Sequence, residues 1–424
     1  MTNADTIGNR TVWIRWTAFV VLALLLAGPA FAQRAQYQFT DRNLKKMAKV
    51  FGFLQAEGTE EEQAANKEKA KDILLGINLK RARPYGRARI LCTLGGLEVQ
   101  EGNNEASLEY LERCVAEEAL QPEDQLRNLF MVGQLQTMLG RYDEAIVTLE
   151  SWIAQVETPS PSSYYTLAVT YYQADRAEES LAPAKKAVEL SVDTPRESWY
   201  RLLLSLYLER SEYDEALALL DDIILAYPKK AYWSQMAAIY SEKDNSAKSL
   251  AVQQLAKREG FVTESKDLMR VAQMLMVEGL PHQGAAVMKA GLEDGSIEPT
   301  KAAYQTYSDT LLQSREWALA VEPLSKAAEM QEDGALYVRL AQVNLQLGRW
   351  GDARGALDSA FDKGDLNDEG QAHILYGIAA FNDKKWKTAT RAFTRAERFD
   401  GTAETAGKWK AYVDREKARL GVTD

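Results

Sequence analysis

The sequence predicts an all-α chain made of tandem helical hairpins, and three observations carry that prediction. First, its 424 residues exceed the usual size of a single compact core, and no Pro/Gly/Ser-rich stretch divides the chain into domains. Second, a small residue recurs at Ser107, Ala145, Ser180, Ala216, Ser249, Gly284, Ala320, Ala353 and Ala389, in steps of 33 to 38 residues. Third, no segment alternates apolar and polar residues with the period of two that a half-buried strand requires.

The repeat has internal structure. Twelve residues before each marker stand Gly95, Gly133, Ala168, Leu204, Ala237, Ala272, Ser308, Ala341 and Gly377, of which only Leu204 is large. Seven residues after it stand Cys114, Trp152, Ala187, Ile223, Ala256, Gly291, Ala327, Ala360 and Ala396, and three before it an aromatic recurs as Tyr142, Tyr213, Trp317, Trp350 and Trp386. Residues three, four and seven apart share a helix face, and small ones on that face let two antiparallel helices approach closely. Each unit is therefore read as a helix-turn-helix hairpin. Its turn shows in Leu139-Gly140-Arg141-Tyr142 and Leu347-Gly348-Arg349-Trp350, where glycine can end a helix in the left-handed conformation. Pro84, Pro122, Pro195 and Pro228 fall near unit boundaries, where a missing amide donor costs least, and Pro183 and Pro323 share one place in two units, read as a mild bend.

Glycine, aromatic and alanine at these offsets, as in Gly140-Arg141-Tyr142-Asp143-Glu144-Ala145 and in Tyr213-Asp214-Glu215-Ala216 with Pro228, resemble the tetratricopeptide repeat. The resemblance covers roughly residues 88 to 400. It implies a right-handed superhelical solenoid of about nine tandem repeats. Two units depart from the pattern: Pro281 and His282 stand in the aromatic region before Gly284, and the unit around Ser249 is polar. A narrower likeness lies in Tyr232-Trp233, in Gln371-Ala372-His373-Ile374-Leu375-Tyr376-Gly377 and in Trp409-Lys410-Ala411-Tyr412. These strings resemble the periplasmic tetratricopeptide proteins associated with TonB, ExbB and ExbD, and imply an accessory role in TonB-type energy transduction.

Both ends are read as caps, because a terminal unit would otherwise leave an apolar face in water. Leu44, Met47, Phe51 and Leu54 recur at helical spacing, and Ile73, Leu74 and Ile77 suggest a second helix, so residues 33–83 form a divergent N-terminal cap. Repeats then fill 84–400, and 401–424 form a C-terminal capping helix with Trp409 and Tyr412 on one side. Residues 1–32 read as a cleaved signal peptide: Arg10 and Arg15 precede the apolar run Ala18 to Leu26, followed by Gly28, Pro29 and Ala30-Phe31-Ala32. That run is well short of the roughly 20 residues a spanning helix needs. The expectation is a periplasmic protein with no membrane span after cleavage.

The net charge of -10 repels phosphate backbones and argues against nucleic-acid binding. Charge is uneven: residues 101–230 hold 24 acidic and 11 basic side chains, whereas 371–424 hold 7 acidic and 11 basic. A basic knot stands at Lys80, Arg81, Arg83, Arg87 and Arg89. The plainest account of both is a solvated surface.

Chemistry needs a converging set of titratable groups, and the sequence offers none. The two histidines stand in separate units without metal-ligand spacing: His373 at a position held by Leu91, Leu129 and Tyr164 elsewhere, and His282 at a helix start. The loop Asp362-Lys363-Gly364-Asp365-Leu366-Asn367-Asp368 lacks EF-hand ligand order, and helix capping by Asn367 or Asp368 explains it. Acidic steps such as Asp214-Glu215 and Asp221-Asp222 are read at second-helix starts, where they favour the positive helix end. Cys92 and Cys114 lie in the two helices of one hairpin and are either a disulfide or a buried reduced pair.

The expectation is thus no catalytic residue, no metal and no cofactor. Three function classes follow: a protein-binding scaffold, a structural subunit of a cell-envelope assembly, and, least supported, an enzyme. If the units stack as in the family, first-helix residues one place beyond the packing positions face a groove. These are Phe130, Gln134, Tyr165, Val169, Tyr172 and Arg201, the candidate partner-binding set. The lysine and asparagine set by which some relatives grip a peptide carboxylate is missing.

Overall fold

The computed structural model describes residues 37–422; the predicted signal peptide, residues 1–32, lies outside the described residues. Among them are 21 α-helices, one short 3-10 helix (Leu79–Arg81) and no strand. The chain divides into two compact units, one ending at Leu219 and the other beginning at Leu220.

The first unit opens with a hairpin of α1 (Asp41–Leu54) and α2 (Glu60–Leu75). Thr59 and Glu62 cap α2 reciprocally, each side chain bonding the other's amide. Met47, Val50, Ala70 and Leu74 pack there against Ile90 and Leu94 of the next helix. Leu44 is exposed, contrary to the expected apolar spacing, and Asn43 takes the inward position instead. Three complete repeat hairpins follow: α3/α4 (Pro84–Glu101, Asn104–Val115), α5/α6 (Pro122–Met138, Tyr142–Gln155) and α7/α8 (Pro161–Gln173, Ala177–Glu189). Then comes α9 (Glu197–Glu209), with α10 (Tyr213–Ala226) running across the unit boundary. Prolines 84, 122 and 161 each sit in the first helical turn, where no amide partner is lost.

The second unit continues with α11/α12 (Lys230–Glu242, Ser246–Arg258), α13/α14 (Ser265–Val277, Pro281–Asp294) and α15/α16 (Lys301–Gln313, Trp317–Glu329). Next are α17/α18 (Ala335–Gln346, Trp350–Lys363), α19/α20 (Glu369–Asn382, Trp386–Ala396) and a final helix, α21 (Ala403–Leu420). The departure at Pro281 is a conventional helix start, with the proline in the first turn of α14. Pro183 and Pro323 lie inside continuous helices, α8 and α16. Trp409 of α21 stacks on Phe393 of α20 at 5.6 Å between centroids.

The phase read from the small residues is the packing phase. All nine markers are buried, as are all nine residues twelve places earlier. Where the marker is serine, its hydroxyl donates to the carbonyl of that earlier residue at 2.8 Å, in Ser107 to Gly95, Ser180 to Ala168 and Ser249 to Ala237. At Gly284 an added Cβ would lie 2.8 Å from the corresponding Ala272 carbonyl oxygen. The two helices of a hairpin thus cross so closely here that only a small side chain fits.

The turns obey one rule as well. Five residues before each marker the backbone is left-handed, at Gly102, Gly140, Asp175, Ser211, Asp244, Gly279, Arg315, Gly348 and Lys384. The next amide reaches back to the carbonyl five residues earlier, for example Arg141 to Gln136 at 2.8 Å and Lys385 to Ala380 at 2.8 Å. This satisfies a carbonyl the helix end would orphan. Four of these positions are glycine; at the other five the hairpin imposes a conformation that costs an L-residue roughly 1–2 kcal/mol.

Candidate partner-binding surface

The candidate residues lie on α5, α7 and α9, the first helices of three successive hairpins. α5 and α7 meet through the hydroxyls of Thr137 and Thr170, 2.8 Å apart. α7 and α9 meet at two levels: Tyr165 stacks on Trp199 at 5.4 Å, and the Tyr172 hydroxyl donates to Glu209 at 2.9 Å. Glu209 also accepts from Ser205 at 3.2 Å. These contacts hold three parallel first helices side by side within the first unit.

The six residues divide by environment. Phe130 packs inward, against Trp152 of α6 at 4.6 Å and onto the cluster of Ile146, Leu149, Leu167 and Tyr171. Tyr165 and Val169 are half-buried. Gln134, Tyr172 and Arg201 are exposed, and Tyr172, at 37% exposure, is the one exposed aromatic side chain of this unit among the described residues. Phe130 therefore supports the surface from beneath, while Gln134, Tyr172 and Arg201 offer it to solvent and Tyr165 and Val169 lie half-buried between.

Trp152, Trp199 and Glu209 complete the arrangement and were not among the candidate partner-binding residues read from the sequence. The signal for them was weak: Trp152 stands where most units carry alanine, glycine or cysteine, a substitution that a ring stacked on Phe130 explains. The surrounding acidity is partly engaged. Glu150 accepts from Tyr171, whose burial and whose carboxylate partner push its phenol up to about 12. Arg176 lies 4.9 Å above the Tyr171 ring and 2.9 Å from Glu179, which holds that carboxylate below its usual range. Arg210 contacts Glu212 at 2.6 Å and Glu178 at 3.4 Å. What the arrangement can do is bind: it presents an aromatic, an amide and a guanidinium on rigid helices.

The other flagged residues have structural places. His373 is buried between the rings of Phe361 at 4.3 Å and Phe399 at 6.1 Å, with Nε2 3.5 Å from Glu369; burial pushes its imidazole below the ordinary range. His282 is exposed. Asp368 caps α19 by accepting from the Gln371 amide at 2.8 Å. Asp214 and Glu215 occupy the first turn of α10, but Asp221 and Asp222 lie in its interior, which corrects the expectation that they start a helix. Cys92 and Cys114 are a disulfide with Cα atoms 5.4 Å apart, tying α3 to α4. The basic knot is partly paired, Arg87 with Glu117 at 2.6 Å and Arg89 with Asp124 at 3.2 Å. Among the described residues no group of three or more His, Cys, Asp or Glu could hold a metal, and no helix is long and apolar enough to cross a membrane.

Comparison with known proteins agrees with this architecture. Residues 338–404, spanning α17 to α20, match the tetratricopeptide repeat family. No curated protein matches the chain. Among solved structures, the chain is similar to the MamA protein, at 16% identity over 39% of this chain and 87% of that one, with a TM-score of 0.34. It is similar to Naa15/Naa10 bound to HypK-THB at 11% identity over 79% and 52%, with a TM-score of 0.46. It is also similar to YrrB, described as a tetratricopeptide protein with an unusual peptide-binding site, at 15% identity over 39% and 83%, with a TM-score of 0.34. The segment 338–404 thus matches the tetratricopeptide repeat family directly, and the same hairpin packing recurs in all nine units.

Proposed function

We propose that the chain is a non-enzymatic scaffold of the periplasm that binds a segment of another protein on the first-helix surface of its first unit. Tetratricopeptide repeats mediate protein–protein contact, and stacked hairpins expose surfaces suited to an extended peptide or a helix. The observation that carries the reading is Tyr172, an exposed aromatic fixed by its hydrogen bond to Glu209, with exposed Gln134 and Arg201 on the two first helices packed to either side of its own. A rigid aromatic supplies contact area at low entropy cost. Acidic side chains outnumber basic ones 24 to 11 over residues 101–230, so the complementary segment carries Lys or Arg beside its apolar anchors.

The Arg, apolar and Ala-Phe-Ala series at the N-terminus supports export, and the Cys92–Cys114 disulfide suits an oxidising compartment. The C-terminal strings that resemble TonB-associated proteins support TonB, ExbB or ExbD components as the partners, in an accessory role to energy transduction. A permanent subunit of a cell-envelope assembly is the second reading, favoured by a stable stoichiometric partner on copurification, where a scaffold shows exchangeable capture.

The test uses the partner identified by crosslinking in intact cells. Tyr172→Ala combined with Tyr165→Ala is expected to raise its dissociation rate far more than Asp175→Asn with Glu178→Gln, because exposed charge pairs contribute only about 0–1 kcal/mol each and mainly steer encounter. Tyr165 also stacks on Trp199, so Tyr172→Phe is the control that keeps the ring and drops only the bond to Glu209. Equal affinity of all variants at low and high salt would show that the binding surface lies elsewhere.

A further inference from the structure

The nine repeats act as controls for one another, and one helix stands apart from the rest. On α20 the three residues Lys387, Arg391 and Arg395 are all exposed, as is Arg398 in the turn that follows. Their spacings of four put the three helical cations on one line of the helix, a row about 12 Å long at ~1.5 Å rise per residue, with Arg398 in the turn beyond its end. The corresponding positions of the other eight second helices never hold more than one Lys or Arg; α18, for instance, has Gly351, Gly355, Ser359 and Asp362 there. The row is therefore not a requirement of the hairpin.

Elsewhere the single cation at these places has a partner. Arg113 pairs with Glu109 at 3.3 Å, Lys326 with Glu322 at 2.8 Å and Arg258 with Glu259 at 3.5 Å, while Lys186 lies 5.1 Å over the Tyr164 ring. Among the described residues, none of these four cations, three on α20 and Arg398 just after it, makes an ion pair, a side-chain hydrogen bond or a ring contact. The one carboxylate of that helix end, Glu397, is taken by Lys410 of α21 at 2.7 Å. Like charges three and four residues apart cost a helix roughly 0.2–0.5 kcal/mol per pair, so folding alone disfavours the row. Lys384 and Lys385, both exposed, extend it into the preceding turn.

We propose that this face of α20 docks an acidic segment of another protein, independently of the first-unit surface. The complement of a row spaced by about one helical turn is a row of carboxylates, either on a helix at every fourth residue or on an extended strand at every second, ~6.6 Å apart. A lipid surface is the poorer fit: interfacial binding needs apolar side chains to insert, and no large apolar side chain between residues 331 and 411 is exposed. Nucleic acid is disfavoured because the row is one cation wide on a chain of net charge -10, which repels a long polyanion.

The experiment measures the anisotropy of a fluorescein-labelled alternating Glu-Ser peptide, long enough to cover the row, titrated with the full chain; a Lys-Ser peptide is the counterpart. The expected result is binding of the acidic peptide alone, lost when salt rises from about 0.15 M to about 1 M and the screening length falls from ~8 Å to ~3 Å. Replacing Lys387, Arg391, Arg395 and Arg398 together by Gln is expected to weaken it by roughly tenfold or more. The scattered set Arg258→Gln, Lys266→Gln, Lys289→Gln and Lys301→Gln changes the net charge equally and is expected to weaken it less than about twofold. The row variant should melt no lower than wild type, which distinguishes lost docking from lost fold. Equal weakening in both variants, or no binding of the acidic peptide, overturns the proposal. So does binding of phosphatidylglycerol vesicles or duplex DNA in its place.

Discussion

The tightest contact of the repeat phase is between Gly377 and Phe393, and it gives a prediction with a worked magnitude. A Cβ added at Gly377 would lie 2.4, 2.6 and 2.7 Å from three ring atoms of Phe393. The ring cannot retreat easily, because it is fully buried and backed by Trp409 at 5.6 Å with the planes 8° apart. Gly377→Ala therefore gains about 1 kcal/mol of helix propensity but incurs about 3 kcal/mol of overpacking, a net loss of about 2 kcal/mol. Phe393→Leu alone shortens a buried ring and should cost about 1–2 kcal/mol. The two changes together recreate the pairing of Ala341 with Leu357, both fully buried at the equivalent positions of α17 and α18. The double variant should thus lie within about 1.5 kcal/mol of wild type, a compensating coupling of about 2 kcal/mol. Hydrogen exchange of the amides of residues 369–420 reads this locally, which suits an array whose parts open separately. A stabilised Gly377→Ala, or effects that add within about 0.5 kcal/mol, would refute the claim that these helices meet at the predicted small residues.

Other expectations follow from the same structure. Removing the Cys92–Cys114 bond as Cys92→Ser with Cys114→Ala, alanine being the residue at that place in several repeats, should cost about 3 kcal/mol for a 22-residue separation, read as a lower melting midpoint that reductant no longer changes. His373 is held below its ordinary pKa by burial and by Arg395 and Arg398, against the opposing pull of Glu369. Its unfolded form binds the proton first, so its contribution is complete above about 6.5 and is lost as pH falls through the folded value; His373→Phe should flatten stability over that range in urea titrations at stepped pH. Gly140→Ala, at φ of 76°, should lose about 1 kcal/mol, whereas Arg315→Gly, at φ of 62°, should be at least as stable as wild type, both measured by thermal melting.

The sequence was most informative where geometry tolerates few residue types. Helix crossings favour small side chains, so the markers and their partners twelve residues earlier, all but Leu204 small, carried the phase of all nine hairpins. The left-handed turn was legible only at glycine, as in Gly140 and Gly348. At Arg315 and Lys384 the same conformation is imposed by the hairpin, and side-chain type gives no hint of it. The candidate surface was less legible because facing outward on one helix does not ensure exposure beside its neighbours: Phe130 is covered by Trp152, and Tyr165 by Trp199. Asp221 and Asp222 misled because an acidic pair on an exposed helix interior has the same composition as one in a first turn. The cation row of α20 was visible only as an excess of basic residues near the C-terminus until the helix put three of them in line, with Arg398 just beyond.

The central claim is that the chain works by holding another protein against the first helices of its first unit. Site-specific photo-crosslinking in intact cells tests it most directly, with the reactive group at position 172 and, as a control, at position 192, which is fully exposed in the loop between α8 and α9. The account predicts a discrete crosslinked protein from position 172 and none from position 192, its yield falling when Gln134 and Arg201 are replaced by alanine. The same products from both positions, or none from position 172, would contradict it.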